Sequence, residues 1–129
     1  LAAECARAFA ADLLVLHVIN SKRIGFPSLE GKVPLDMQRL LDNIRESCDQ
    51  ALLIFADQFR EAARSVTAHC VTGVPSSEIV RFAEENAVDL IVMGTHGWTG
   101  IKHLIMGSTA ENVLRSSGCP VLTVRPLKT

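Results

Sequence analysis

Apolar and polar positions alternate along this chain in two rhythms, one helical and one strand-like. Ala2, Cys5, Ala6, Phe9 and Ala10 recur at three- and four-residue steps with Glu4 and Arg7 opposite, which predicts a helix over residues 1–10. Residues 13–19 (LLVLHVI) are apolar on both faces, the mark of a strand inside a parallel sheet. Gly25, Pro27, Gly31 and Pro34 break residues 20–34 into a loop. A long helix is predicted over residues 35–64, because Met37, Leu41, Ile44, Cys48, Leu52, Phe55, Phe59 and Ala62 form one stripe. A strand over 66–71 follows, with imperfect alternation. Gly73 and Pro75 then introduce a helix over 76–87 whose buried stripe is Ile79, Val80, Phe82 and Ala83. Residues 89–93 (DLIVM) predict a strand, 109–116 a helix stopped by Gly118, and 120–124 (PVLTV) a last strand.

Strict alternation of helix and strand predicts an α/β fold, an open parallel sheet with helices on both faces. Such sheets bind ligands beyond the carboxyl ends of their strands. The 129 residues make one domain, 1–129, with no internal repeat and no low-complexity segment. Thirteen basic and fourteen acidic residues leave a formal charge of −1, so no basic excess points to nucleic acid or to an anionic membrane. Aromatics are 5% of the chain, too few for a base-stacking platform. No apolar run reaches bilayer-spanning length. Residues 1–11 do not read as a signal peptide, since Glu4 and Arg7 interrupt them. Cys5, Cys48, Cys70 and Cys119 are scattered, form no C-x-x-C pair and read as reduced thiols, which fits a cytoplasmic protein.

The candidate chemistry sits after the strand at 89–93. Gly94-Thr95-His96-Gly97 is followed, nine residues later, by Gly107-Ser108 at the start of a helical pattern. Strand, glycine-punctuated loop and helix in that order set free backbone amides beside the positive end of a helix, a place that suits phosphate. Gly94, Gly97 and Gly107 are expected to supply positive φ or close approach to a ligand. The Ser108 hydroxyl and the amides of Ser108, Thr109 and Ala110 are the donors, and Lys102 or His103 could add charge. A structural use competes: Ser108-x-x-Glu111 also spells a capping box, which would occupy donors that a phosphate wants. The glycines could equally be turn punctuation. Neither G-x-x-x-x-G-K-[ST] nor G-x-G-x-x-G occurs in the chain.

The spacing itself resembles that of the universal stress protein family, whose nucleotide-binding members carry G-2x-G-9x-G-[ST]; Gly94, Gly97, Gly107 and Ser108 match it in full. The resemblance extends to VDLIVMGTHGWTG, GSTAENVLRSSGCPVLTVRP, GVPSSEIVRFAEENA and LLVLHVI, nearly the whole chain. It implies a Rossmann-like sheet of the adenine nucleotide α hydrolase type, in strand order 3-2-1-4-5, that binds ATP or a related adenine nucleotide. It also implies phosphate contacts at Gly97, Gly107 and Ser108, with Thr109 beside them, and places Met93 and Gly94 near the ribose. Val18 would offer backbone atoms to the adenine. Dimers would form through the strand Val121–Val124. In the family a strand and an Asp precede the first helix, whereas this sequence opens within that helix. The central strand of the order is therefore missing from this sequence; an incomplete N-terminus is the preferred reading, a segment or second chain in that place the other.

His17, His69, His96 and His103 fit no zinc spacing, and no protein-ligated metal is expected; Mg²⁺ held mainly by nucleotide phosphates is compatible with the site. His17 reads as a partnered core residue, Cys119 as a structural thiol, Asp89 as a turn or cap residue at the amino end of its strand, and Trp98 as a residue packing over the site or in an interface. No catalytic residue is assigned. These readings favour a nucleotide-binding regulatory or sensor module, against a slow ATPase or a structural dimer module that binds no nucleotide.

Overall fold

The protein is described here by a computed structural model, over residues 1–24, 33–95 and 106–125. The element order is α1 (Ala2–Phe9), β1 (Asp12–Asn20), α2 (Leu35–Asp57), β2 (Ser65–Gly73), α3 (Pro75–Glu85), β3 (Ile91–Gly94), α4 (Ser108–Ser116) and β4 (Val121–Val124). This is the α/β alternation that the hydrophobic pattern predicts. The strands pair in parallel, β1 with β2 and β3 with β4. The chain divides into two compact units, Leu1–Gly73 and Val74–Thr129.

In the first unit, β1 and β2 run in register from Asp12 opposite Ser65 to Asn20 opposite Gly73. Parallel strands need a crossover, and α2 supplies it, laying its stripe against β2. Met37, Leu41, Ile44, Cys48 and Leu52 are half-buried as the spacing requires, while Phe55 turns outward and Ala56 is buried in its place. The helix ends at Asp57, short of the predicted 64. From Gln58 onward the amides bond three residues back instead of four, Phe59 to Ala56 at 3.0 Å and Ala62 to Phe59 at 2.9 Å. These tighter turns bury Ala62 and bring the Arg64 amide to the Ala11 carbonyl at 2.9 Å, aligning β2 with β1.

The amino ends of the two strands are tied by side chains as well. Arg64 Nε donates to Asp12 Oδ1 at 2.9 Å, its Nη2 pairs with Oδ2, and the Ser65 hydroxyl donates to Oδ1 at 2.7 Å. His17 does not take the expected core position: it is exposed on β1, whose only paired edge among the described residues faces β2. Ile19, two residues on and on the same face of β1, is buried, so the exposure is local to His17.

In the second unit, Pro75 opens α3 at its first turn, where its missing N–H costs nothing. α3 and α4 pack together over an apolar cluster of Ala83, Ile91 and Val113, joined by Ile79, Val80, Val88, Met93, Cys119 and Val121. Val113 has no exposed surface at all. Two helices end alike. Ala10 after α1 (φ 47°) and Ala87 after α3 (φ 49°) adopt the left-handed conformation, and the following amides reach back five residues, Ala11 to Ala6 and Val88 to Ala83, both at 2.9 Å.

α4 does not stop as predicted. Gly118 has no left-handed φ; the exit is made by Ser117, whose extended backbone (φ −69°, ψ 136°) leaves the helix. The Ser117 hydroxyl accepts the Cys119 amide at 3.2 Å and donates to the Cys119 carbonyl at 2.9 Å, a side-chain turn that replaces the glycine stop. Cys119 is thereby fixed against the apolar cluster, as a structural thiol should be.

Candidate anion site at the start of α4

β3 is short and apolar and ends at Gly94, opposite Val124 of β4. The next residue, Thr95, is buried at 3% exposure and acts as a junction. Its amide donates to the Val124 carbonyl at 3.0 Å, and its own carbonyl accepts the Gly107 amide at 2.6 Å. The end of β3, the end of β4 and the start of α4 therefore meet at one peptide. A buried backbone must satisfy its polar groups, and Thr95 does so by closing this junction.

Gly107 is the N-cap of α4, with φ −70° and ψ 155°. This corrects one expectation: the backbone here is ordinary extended chain, so Gly107 is not needed for a positive φ. Its amide is also already committed to Thr95, which leaves close approach as the physical use of the missing side chain. The capping box is not formed either. Ser108 is the first helical residue, no side chain caps the helix, and Glu111 is turned to Arg115 at 2.9 Å. The Glu111 amide bonds the Gly107 carbonyl at 3.0 Å, closing the first turn.

The amides of Ser108, Thr109 and Ala110 accordingly have no acceptor among the described residues. They are the orphan donors of a helix start, at its positive end, and the exposed Ser108 hydroxyl stands beside them. Such a set of donors can hold an anion without any titrating group.

The structure brings Gly94, Gly107, Ser108 and Thr109 to one corner of the second unit through Thr95. Met93, assigned to the ribose, has its side chain against the apolar cluster, so only its backbone could serve. Gly97, with His96, Trp98, Lys102 and His103, lies outside the described residues. Val18 belongs to the first unit, half-buried on β1 opposite Val71. Among the described residues, no three His, Cys, Asp or Glu side chains come together in a manner that could hold a metal. Thr95 is the junction residue that pattern reading misses. Its signal is a hydroxyl-bearing residue directly after the last strand residue, inside the glycine spacing, which resembles any loop residue until the backbone is traced.

A separate cleft of about 300 Å³ in the second unit is lined by Ser76, Ser77, Val80, Arg81, Glu84 and Ser116. Its cation is already matched: the Arg81 guanidinium pairs with Glu78 and, at 3.3 Å, with Glu85. It contains none of the candidate residues. Among the described residues, no helix is long and apolar enough to cross a membrane.

Comparison with known proteins agrees with this architecture. The chain is 35% identical to universal stress protein MJ0531 of Methanocaldococcus jannaschii over 98% of its own length and 72% of the relative's. It is 31% identical to universal stress protein MJ0577 of the same organism over 90% of this chain and 78% of the relative. The solved structure of MJ0577 superposes with a TM-score of 0.83, covering 99% of this chain and 88% of that one. A universal stress protein solved in complex with cAMP shares the fold at 24% identity and a TM-score of 0.58, over 96% of this chain and 81% of that one. The universal stress protein family model matches residues 1–125, and with relatives above 30% identical along most of their length the chain belongs to that family.

Proposed function

We propose that this protein binds ATP or a related adenine nucleotide as a regulatory module, with the phosphates held at the first turn of α4. The observation that carries the reading is the set of three amides, Ser108, Thr109 and Ala110, that have no acceptor among the described residues, neither Ser108 nor Glu111 capping the helix. Gly94 and Gly107 keep side chains out of the approach, and Ser108 adds a hydroxyl donor. Mg²⁺ bound by the phosphates needs no protein ligand set. Regulation follows when two states of the protein differ in nucleotide affinity, and only to the extent that they differ.

The pairing of strands supports the proposed strand order. Within each unit the observed pair, β2 with β1 and β3 with β4, matches a pair of neighbours in that order. We further propose that the edge of β4 away from β3 pairs with β4 of a second copy, giving a cytoplasmic homodimer.

Titration calorimetry with MgATP, and with cAMP as competitor, tests the nucleotide site. Saturable ATP binding that is lost in Gly107→Asp supports it; equal affinity of the two proteins rejects it. Sedimentation of the protein beside Leu122→Lys, on the exposed side of β4, tests the dimer separately.

A further inference from the structure

β2 presents an unguarded edge. It runs nine residues, SVTAHCVTG, without Lys, Arg, Asp, Glu or Pro, and only β1 pairs with it among the described residues. The Ser21 amide donates to the Gly73 carbonyl at 3.1 Å, so Gly73 turns to β1, and the unbroken register carries that orientation to every second residue back along β2. Val66, Ala68, Cys70 and Thr72, lying between those, turn their N–H and C=O groups to the other edge. Sheets ordinarily blunt such an edge with charge, proline or a bulge, because it templates the pairing of another strand.

A groove lies beside that edge. Leu53, Ala56 and Asp57 of α2, with Arg60 just beyond, enclose about 270 Å³ with Val66, Thr67 and Ala68, and no residue of β1 lines it. Leu53 is 61% exposed there, and Asp57 and Arg60 pair with each other. Steps of three and four residues back from Leu53 reach Asp49, Glu46 and Asp42 on the same side of α2, all exposed. None of these three carboxylates has a cation partner among the described residues. The helix as a whole carries Asp36, Asp42, Glu46, Asp49 and Asp57 against Arg39 and Arg45.

We propose that this edge takes up an extended basic segment of another protein as an added strand, with an apolar side chain in the groove and Lys or Arg along Asp49, Glu46 and Asp42. The backbone ladder supplies affinity and the alternate side chains supply selection. A second copy of this chain fits worse. Two β2 edges paired antiparallel about a twofold axis keep the same sheet faces together, so α2 would lie beside α2 and acidic stripe would meet acidic stripe. The proposal is independent of nucleotide binding, because every residue it uses lies in the first unit.

Fluorescence anisotropy of the full chain tests it with two end-capped, labelled probes, Thr-Val-Thr-Lys-Thr-Lys-Thr and its reverse, Thr-Lys-Thr-Lys-Thr-Val-Thr. Leu53 and Ala56 meet the start of β2, so the first order suits a parallel strand and the second an antiparallel one. Saturable binding of one order is expected, weaker at high salt. Of two versions N-methylated at alternate amides, the one blocked toward β2 should lose binding and the other keep it. Glu46→Lys with Asp49→Lys, at exposed helix positions, should weaken binding by about tenfold or more, as like-charge contacts do. Ala68→Pro, which deletes an outward N–H, should abolish it; the charge reversal and the methylated probes keep the test readable if that variant folds poorly. Absence of saturable binding at millimolar probe, equal binding when Glu replaces Lys in the probe, or equal binding of the two methylated versions overturns the proposal. Self-association that survives Leu122→Lys and disappears in a folded Ala68→Pro would seat a second copy at this edge and overturn it as well.

Discussion

The Gly107 amide is bonded to the Thr95 carbonyl at 2.6 Å, and this contact decides which amides of α4 remain for a ligand. It removes Gly107 from the donor list and hands that role to Ser108, Thr109 and Ala110. It also makes stability and binding separable, because the Gly107 dihedrals suit any L-residue.

Gly107→Asp is expected to keep or raise the melting temperature while removing nucleotide binding. Asp is a favoured N-cap, better than Gly by a few tenths of a kcal/mol, and its carboxylate matches the positive helix end. The same carboxylate repels a phosphate and fills the approach. Thermal melts beside calorimetry check both halves; a loss of binding accompanied by unfolding would show only that Gly107 is structural.

Ala10→Gly and Ala87→Gly should each stabilise the protein by about 0.5–1 kcal/mol. Both alanines are exposed and left-handed, a conformation that strains an L-residue and not glycine. The gain is net of the extra chain entropy of glycine. Urea midpoints at constant slope measure it, and the two effects should add, since each lies in a different unit.

The Asp12 cluster makes stability depend on acid. The hydrogen bond from Arg64, then that from Ser65, holds the Asp12 carboxyl down to about 2, against an ordinary 3.8. The folded protein favours the carboxylate, so its contribution is complete above about pH 4 and is lost as pH falls through about 2. Asp12→Asn should therefore lower the urea midpoint at pH 7 and converge with the parent protein as pH approaches 2. A constant difference across that range would show that Asp12 acts through something other than its charge.

Val113→Ala should cost roughly 2–3 kcal/mol, from lost burial and the cavity left behind, since Val113 is the largest fully buried side chain among the described residues. Leu114→Ala, next to it but exposed at 41%, should cost far less. The ratio of the two locates the core of the second unit on one face of α4.

Much of the fold is legible in residue order because helix and strand periods are local properties. The stripes from Met37 to Leu52 and from Ile79 to Ala83, the apolar strand at 13–19, and Pro75 at the start of α3 all set their elements without reference to the rest of the chain. The family assignment is legible for the same reason, through spacings such as Gly97 to Gly107 that survive as text. The misses share one cause, competition from partners far away in sequence. α2 stops at Asp57 because β2 must be turned into register with β1. Gly118 is bypassed because the Ser117 hydroxyl finds the Cys119 peptide. His17 is exposed although Ile19, on the same face of β1, is buried, a difference that the apolar run does not encode.

What the sequence determined by itself is the alternation of elements and the presence of a glycine-spaced corner, both encoded in short-range periodicity and turn chemistry. What only the tertiary structure decided is the use of each group there. The amide of Gly107 goes to Thr95, the start of α4 is left without a side-chain cap, and Asp12 meets Arg64. Hydrogen bonds depend on distances of a few ångströms between segments, and those distances exist only once the sheets and helices have packed.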